Sequence, residues 1–121
     1  MKKIIASDNL TEFYTAEKCF ITEVLNTEEY NFFSVAKARV EPGVTTELHN
    51  LKDTDEAYYI LTGKGEVEID GEKIGIVKEN DMVFIPRHST QRIKNITSED
   101  LIFLCICAPR FKPVNYITNY E

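Results

Sequence analysis

One histidine and one glutamate are the residues of this sequence best placed to do chemistry together. Glu56 follows His49 by seven residues, and Asp53 and Asp55 lie between them. Histidine titrates near neutral pH, and general base catalysis requires a carboxylate that orients its ring, which Glu56, Asp53 or Asp55 could supply. The same residue types also bind metal ions. The alternative is structural, because a lone strand histidine is more often hydrogen-bonded in the core or at the surface.

Three further side chains are candidates for ligand contacts. Tyr58 shares strand parity with Glu56, so its hydroxyl either reaches a cavity or its ring fills the core. His88 lies in a turn after Pro86, where it either contacts a ligand at a rim or is solvated. Arg39 precedes a Pro-Gly turn, and it lies either at the surface or in an anion-binding pocket.

Short strands separated by turns must position these residues. Runs rich in Val, Ile, Tyr and Phe alternate with Gly, Asn, Asp and Pro, which is typical of an all-β sandwich or barrel. The predicted strands are Phe32–Val40, Ala57–Leu61, Glu66–Asp70, Lys73–Val77, Met82–Ile85, Gln91–Asn95 and Leu101–Cys107. A helical turn is predicted only within Ser7–Glu17, and Asp70-Gly71 is the strongest hairpin signal.

Two groups of residues have the spacing of the two cupin motifs. The first motif, G-x5-H-x-H-x(3–4)-E-x6-G, is matched by Gly43, His49, Leu51, Glu56 and Gly63. The second, G-x5-P-x-G-x2-H-x3-N, is matched by Asn80, Pro86, His88, Gln91 and Asn95. The chain therefore resembles small single-domain cupins of the mannose-6-phosphate-isomerase-like branch. The resemblance implies an all-β double-stranded β-helix, the cupin jelly-roll barrel. It would span residues 1–121 as one domain, with a core at about 32–108 and extensions at both ends.

The departures from these motifs bear on metal binding. Metal-binding cupins supply three histidines and one glutamate, but Leu51 and Gln91 occupy the second and third histidine positions here. The resemblance leaves His49, Glu56 and the Gln91 amide oxygen as metal ligands. A divalent ion (Zn, Ni, Mn or Fe) would be weakly held or absent, because zinc and iron sites usually require more good ligands.

Two classes of function follow from this resemblance. The first is a binding protein that holds a small sugar-like or carboxylate ligand in the barrel mouth, with Tyr58, Arg39, Gln91 and His88 as ligand contacts. The second is an enzyme with His49 and Glu56 as catalytic residues, either an isomerase or epimerase or a metal-dependent oxygenase or lyase.

Composition limits the setting of either function. The 121 residues fit one domain, and a net charge of −6 argues against nucleic-acid or anionic-membrane partners. The longest apolar run, Leu101–Ala108, is too short to cross a bilayer, and the start of the sequence does not resemble a secretory signal. Three cysteines, an odd number, favour buried thiols in a reducing cytoplasm. A homodimer is expected, with Phe20–Leu25 pairing across subunits to cover an edge strand.

Overall fold

Turns at glycine, asparagine and aspartate divide this chain into short strands. In the computed structural model, which describes residues 2–118, the chain forms eleven β-strands and two single-turn 3-10 helices. The strands are β1 (Glu12–Tyr14), β2 (Phe20–Thr27), β3 (Tyr30–Val40), β4 (Asn50–Leu51), β5 (Asp55–Thr62), β6 (Gly65–Ile69), β7 (Glu72–Val77), β8 (Met82–Ile85), β9 (Gln91–Asn95), β10 (Leu101–Ala108) and β11 (Tyr116–Ile117). The 3-10 turns are Ser7–Asn9 and Pro113–Asn115. The all-β prediction is confirmed.

The strands form antiparallel sheets around one core. The largest sheet has the order β1-β2-β3-β10-β5-β8, the second has the order β7-β6-β9, and β4 pairs with β11. Two isolated bridges, Thr45 to Lys94 and His49 to Gln91, join the segment before β4 to β9. Alternate side chains from both larger sheets, including Val40, Ile60 and Ile93, are fully buried between them.

All seven predicted strands of the central region are confirmed, with ends that shift by at most two residues. The Asp70-Gly71 hairpin is also confirmed, since both residues have a positive φ, +52° and +81°, as a type I′ turn requires. The helical turn predicted within Ser7–Glu17 forms only at Ser7–Asn9, as one 3-10 turn. The rest of this segment contains Glu12–Tyr14, which pairs as an edge strand with Phe20–Thr22. Its aromatic residues suit a strand better than a helix.

The two positions where glycine is replaced in the second motif keep the backbone conformation of glycine. Asn80 has φ +71° and His88 has φ +73°. The His88 amide donates a hydrogen bond to the Leu51 carbonyl (2.7 Å), which ties the loop after β8 to β4. The loop thus retains the left-handed bend at some cost, because a left-handed residue with a Cβ is strained.

The expected homodimer stays a prediction, but its proposed contact changes. Phe20–Leu25 belongs to β2, and its first three residues pair with β1 on one side and β3 on the other. The outermost strands of this sheet are β1 and β8. Within residues 2–118, no helix is long and apolar enough to cross a membrane.

Replacement of His88 tests the strained loop. We expect His88→Gly to be more stable than His88→Ala by about 1 kcal/mol, because glycine relieves the left-handed strain and alanine retains it. Urea unfolding of both variants beside the parent measures the difference. Equal stability of the two variants would show that residue 88 is not left-handed in solution.

Candidate functional site

A cavity of about 420 Å³ lies between the large sheet and the segment that contains His49. Its walls come from β1 and the segment after it, from β2, β3 and β10, from residues within 49–56 and from the C-terminal segment 111–116. Most of the wall is apolar, with a small number of polar groups. Cavities of this size and character are typical of small-molecule sites.

His49 is fixed on the cavity wall by its backbone and its ring. Its amide donates to the Gln91 carbonyl (3.2 Å), and the Gln91 amide donates to the His49 carbonyl (2.7 Å). The ring stacks on Tyr116 with centroids 4.6 Å apart. Nδ1 bonds to the carbonyl of Glu47 at 2.8 Å, and because a carbonyl only accepts, Nδ1 carries the proton.

The free nitrogen of His49 can therefore act as a base. Nε2 makes no hydrogen bond within the described residues 2–118, and in the neutral ring it holds the lone pair. Burial lowers the pKa of His49, which is 4% exposed, so the ring is neutral at pH 7. The backbone carbonyl of Glu47, rather than the expected carboxylate, orients the ring.

Glu56 lies on the same wall with one oxygen unsatisfied. It is 8% exposed, and within the described part of the chain its Oε1 has no hydrogen-bond partner. Burial raises the pKa of Glu56 to about 7, helped by the charge of Glu17, while the Gln91 amide counteracts the shift. Near neutral pH this group therefore both gives and takes protons.

Gln91 and Tyr58 lie behind this wall. Both side chains are buried, and the Tyr58 hydroxyl donates a hydrogen bond to Gln91 Oε1. Burial holds the pKa of Tyr58 well above its usual value, so the hydroxyl remains a donor. Neither residue lines the cavity, but Gln91 contacts Glu56 and is itself held by Tyr58.

The structure does not bring Arg39 or His88 to the cavity. Arg39 lies over the Phe20 ring, at 4.0 Å from its centroid, and forms ion pairs with Glu12 (2.7 Å) and Asp100 (3.2 Å). Its neighbours in β3 point inward, so alternation turns Arg39 outward. His88 is exposed in its loop. Asp55 pairs with Arg87 (3.1 Å) and does not orient His49.

Several cavity residues were not identified as site residues from the sequence. Glu17 and Tyr116 come from segments far from either motif, and only the fold brings them near His49. Burial and the charge of Glu47 raise the pKa of Glu17 to about 7. Cys105 and Cys107, two residues apart in β10, both line the cavity, and Cys107 lies opposite Glu56. Burial raises the pKa of both thiols, so they are protonated and unreactive.

These donors do not fit a divalent metal ion. The Gln91 amide oxygen already accepts the Tyr58 hydroxyl, and Leu51 offers no donor. Glu56 has the raised pKa of a carboxyl without a cationic partner. Within residues 2–118, no group of three His, Cys, Asp or Glu side chains is arranged to hold a metal. The groups of this site that can take part in proton transfer are the Glu56 carboxyl group and the His49 ring.

Comparisons with known proteins agree with this fold. The model of the cupin domain matches residues 36–107. An uncharacterized protein of Methanocaldococcus jannaschii is 34% identical over 106 residues, which cover 86% of this chain and 84% of that protein. An oxalate-binding protein of Thermotoga maritima is 32% identical over 71 residues, 59% of this chain and 58% of that protein.

A solved structure shows the same architecture at low identity. A nucleoside dehydratase of Streptomyces superposes with a TM-score of 0.80 at 14% identity, covering 97% of this chain and 90% of that one. At this identity the likeness concerns the fold alone. Together with the matched family model, it confirms the predicted jelly-roll barrel.

The raised pKa values predict how stability depends on pH. An unfolded glutamate titrates near 4.5, whereas Glu56 and Glu17 titrate at about 7 in the fold. Between these values only the native state holds these two protons, so the contribution of Glu56 and Glu17 to stability falls as pH rises from 4.5 to 7. We expect Glu56→Gln to be more stable than the parent above pH 7 by about 1 to 3 kcal/mol, since one pKa unit corresponds to about 1.4 kcal/mol. Near pH 4.5 the two should be alike. Urea unfolding across pH measures this.

The exposed Glu72→Gln variant is the matched control for this prediction, because it loses the same charge outside the cavity. It should keep the pH profile of the parent. A stability difference between the parent and Glu56→Gln that does not grow between pH 4.5 and 7 would show that Glu56 is not held in an environment that disfavours its charge.

Restoring the two missing histidines tests the geometry of the motif positions. Leu51 lines the cavity with His49 and Glu56, and Gln91 lies beside Glu56. Leu51→His together with Gln91→His should create a site that binds Ni²⁺ more tightly than the parent, since imidazole suits this ion. The gain is measured as a Ni²⁺-dependent rise in melting temperature. The single variant Leu51→His should gain less. A folded double variant that responds to Ni²⁺ no more than the parent would refute the assigned register.

Proposed function

Since the chain belongs to the cupin family, we propose that it binds a small polar molecule in the cavity beside His49 and Glu56. The observation that carries the proposal is the unsatisfied, buried Oε1 of Glu56, a residue that lines this cavity. A buried carboxyl oxygen without a partner costs free energy, and a ligand hydroxyl or amine would remove that cost. The fixed His49 ring, with its free Nε2, supplies a second polar contact.

The lining favours a sugar-like ligand over a carboxylate. Among the described residues, the cavity is lined by carboxyl groups and contains neither lysine nor arginine. Proteins usually hold a carboxylate with arginine or lysine, and Arg39 is turned away. This protein is therefore proposed to differ in ligand class from its oxalate-binding relative. We also propose, from the sequence motifs, that the chain belongs to the mannose-6-phosphate-isomerase-like branch of the cupins.

A cytoplasmic setting is also proposed. It is supported by Cys19, Cys105 and Cys107, which are all free thiols, as expected in a reducing compartment.

An isomerase or epimerase is the second candidate function. His49 has a free basic nitrogen, and Glu56 is close to half protonated at neutral pH. Such a pair on one wall can remove a proton from a substrate carbon and return one, which is the core of isomerisation. His49 would take the proton from a carbon beside a carbonyl group, and protonated Glu56 would donate to the carbonyl oxygen, where the negative charge develops.

The two histidines provide a matched test of ligand binding. In a nuclear magnetic resonance screen of small polar metabolites, binders should shift the signals of His49 and Glu56. We expect His49→Gln to weaken their binding about tenfold, the equivalent of one lost hydrogen bond of about 1.4 kcal/mol. His88→Gln should leave binding unchanged, because His88 lies outside the cavity. Binders that shift only surface signals, or that bind equally to both variants, would contradict the proposed site.

The same binders distinguish a binding protein from an enzyme. Each is incubated with the parent protein in D₂O and analysed by mass spectrometry. Deuterium incorporation at carbon that is lost in His49→Gln would establish the isomerase or epimerase. Binding without incorporation would leave a binding protein.

A further inference from the structure

The charged side chains that line the cavity are all acidic. Glu17, Glu23 and Glu56 all line it, and no lysine or arginine does so within residues 2–118. His49 adds no positive charge at neutral pH, because burial lowers its pKa. Glu56 is buried and Glu17 is partly buried, so their negative charge is costly in a medium of low dielectric constant, whereas Glu23 is exposed to water. The wall is therefore negative wherever its carboxyl groups are ionised.

Arg110 and Lys112, which flank the lining residue Phe111 in the chain, do not neutralise the acidic side chains of the cavity. Arg110 donates to the side-chain oxygens of Asn26 (3.0 Å) and Asn31 (2.8 Å), and the amide of Asn26 stands between Arg110 and Glu23. Lys112 is exposed and does not line the cavity. No described lysine or arginine forms an ion pair with Glu17, Glu23 or Glu56.

One of these carboxyl groups, that of Glu56, lines the cavity and has an oxygen without a hydrogen-bond partner among the described residues. Glu56 is more than nine-tenths buried, and its Oε1 has no hydrogen-bond partner in the described chain. An ammonium group offers up to three donors and a positive charge, whereas a hydroxyl offers one donor and a carboxylate offers none. Phe111 and Tyr116 also line the cavity, and aromatic rings attract cations.

We propose that the ligand of this cavity carries a positively charged amino group, which lies against the carboxyl groups of Glu56 and Glu17. The inference rests on the proposed function, since it names the charge class of the molecule that the cavity binds. The rest of the ligand is small and polar, as in an amino sugar or a short hydroxylated amine. A volume of about 420 Å³ equals that of about fourteen water molecules.

Two sets of matched probes separate charge from shape. The first set is glucosamine, glucose and glucuronate, and the second is benzylamine, benzyl alcohol and benzoate. Each set offers one scaffold with a cationic, a neutral and an anionic group. Dissociation constants are measured at pH 7.5 from the shifts of amide signals of cavity residues.

The expected result is that, in at least one set, the amine binds about tenfold more tightly than the neutral probe and the carboxylate binds most weakly. Tighter binding of a neutral or anionic probe would overturn the amine inference and leave the proposed binding function in place. If none of the six probes shifts a cavity signal at millimolar concentration, the inference fails. The metabolite screen above then decides separately whether the cavity binds any small molecule.

Charge-neutral variants assign the effect to the carboxyl groups. Glu56→Gln and Glu17→Gln should each reduce the affinity for the amine toward that of the neutral probe and leave the neutral probe almost unaffected. The control Glu72→Gln, which removes the same charge from the exposed strand β7, should change neither affinity. Amine binding that is insensitive to both cavity variants would overturn the inference.

Discussion

The pair of backbone hydrogen bonds between His49 and Gln91 joins the segment before β4 to β9, and the polar part of the cavity is arranged around this junction. From one side of it the His49 ring extends onto the wall, where Tyr116 and the Glu47 carbonyl hold it. From the other side the Gln91 side chain reaches inward to Tyr58 and Glu56. Two side chains that are far apart in sequence are thereby kept at fixed positions.

The titratable groups of this site are shifted toward their uncharged forms. Burial lowers the pKa of His49 and raises those of Glu17, Glu56 and both nearby thiols, so each group is pushed toward its uncharged form. The physical cause is the same throughout, because an apolar wall disfavours any isolated charge. Such a site is poised for proton transfer or for a ligand that brings a compensating charge.

Two positions where the cupin motif has histidine carry other residues in this barrel. Leu51 still lines the cavity, but it contributes apolar surface, and the Gln91 amide is engaged by Tyr58. The loops tolerate comparable changes, since Asn80 and His88 hold left-handed conformations where the motif has glycine. Backbone pairing therefore maintains the scaffold although these side chains differ from those of the motif.

The sequence by itself determined the strands, because alternation and turn residues are local signals that survive folding. The jelly-roll barrel and the placement of His49 and Glu56 at one site were implied by the resemblance to the cupin motifs. Tertiary structure alone decided that Arg39 pairs with Glu12 and Asp100, and that Glu17 and Tyr116 complete the cavity. It also decided the charge states, since the burial that shifts a pKa is a property of everything packed around the group. No local pattern encodes the distance between residues 17 and 56, which depends on how the strands close around the core.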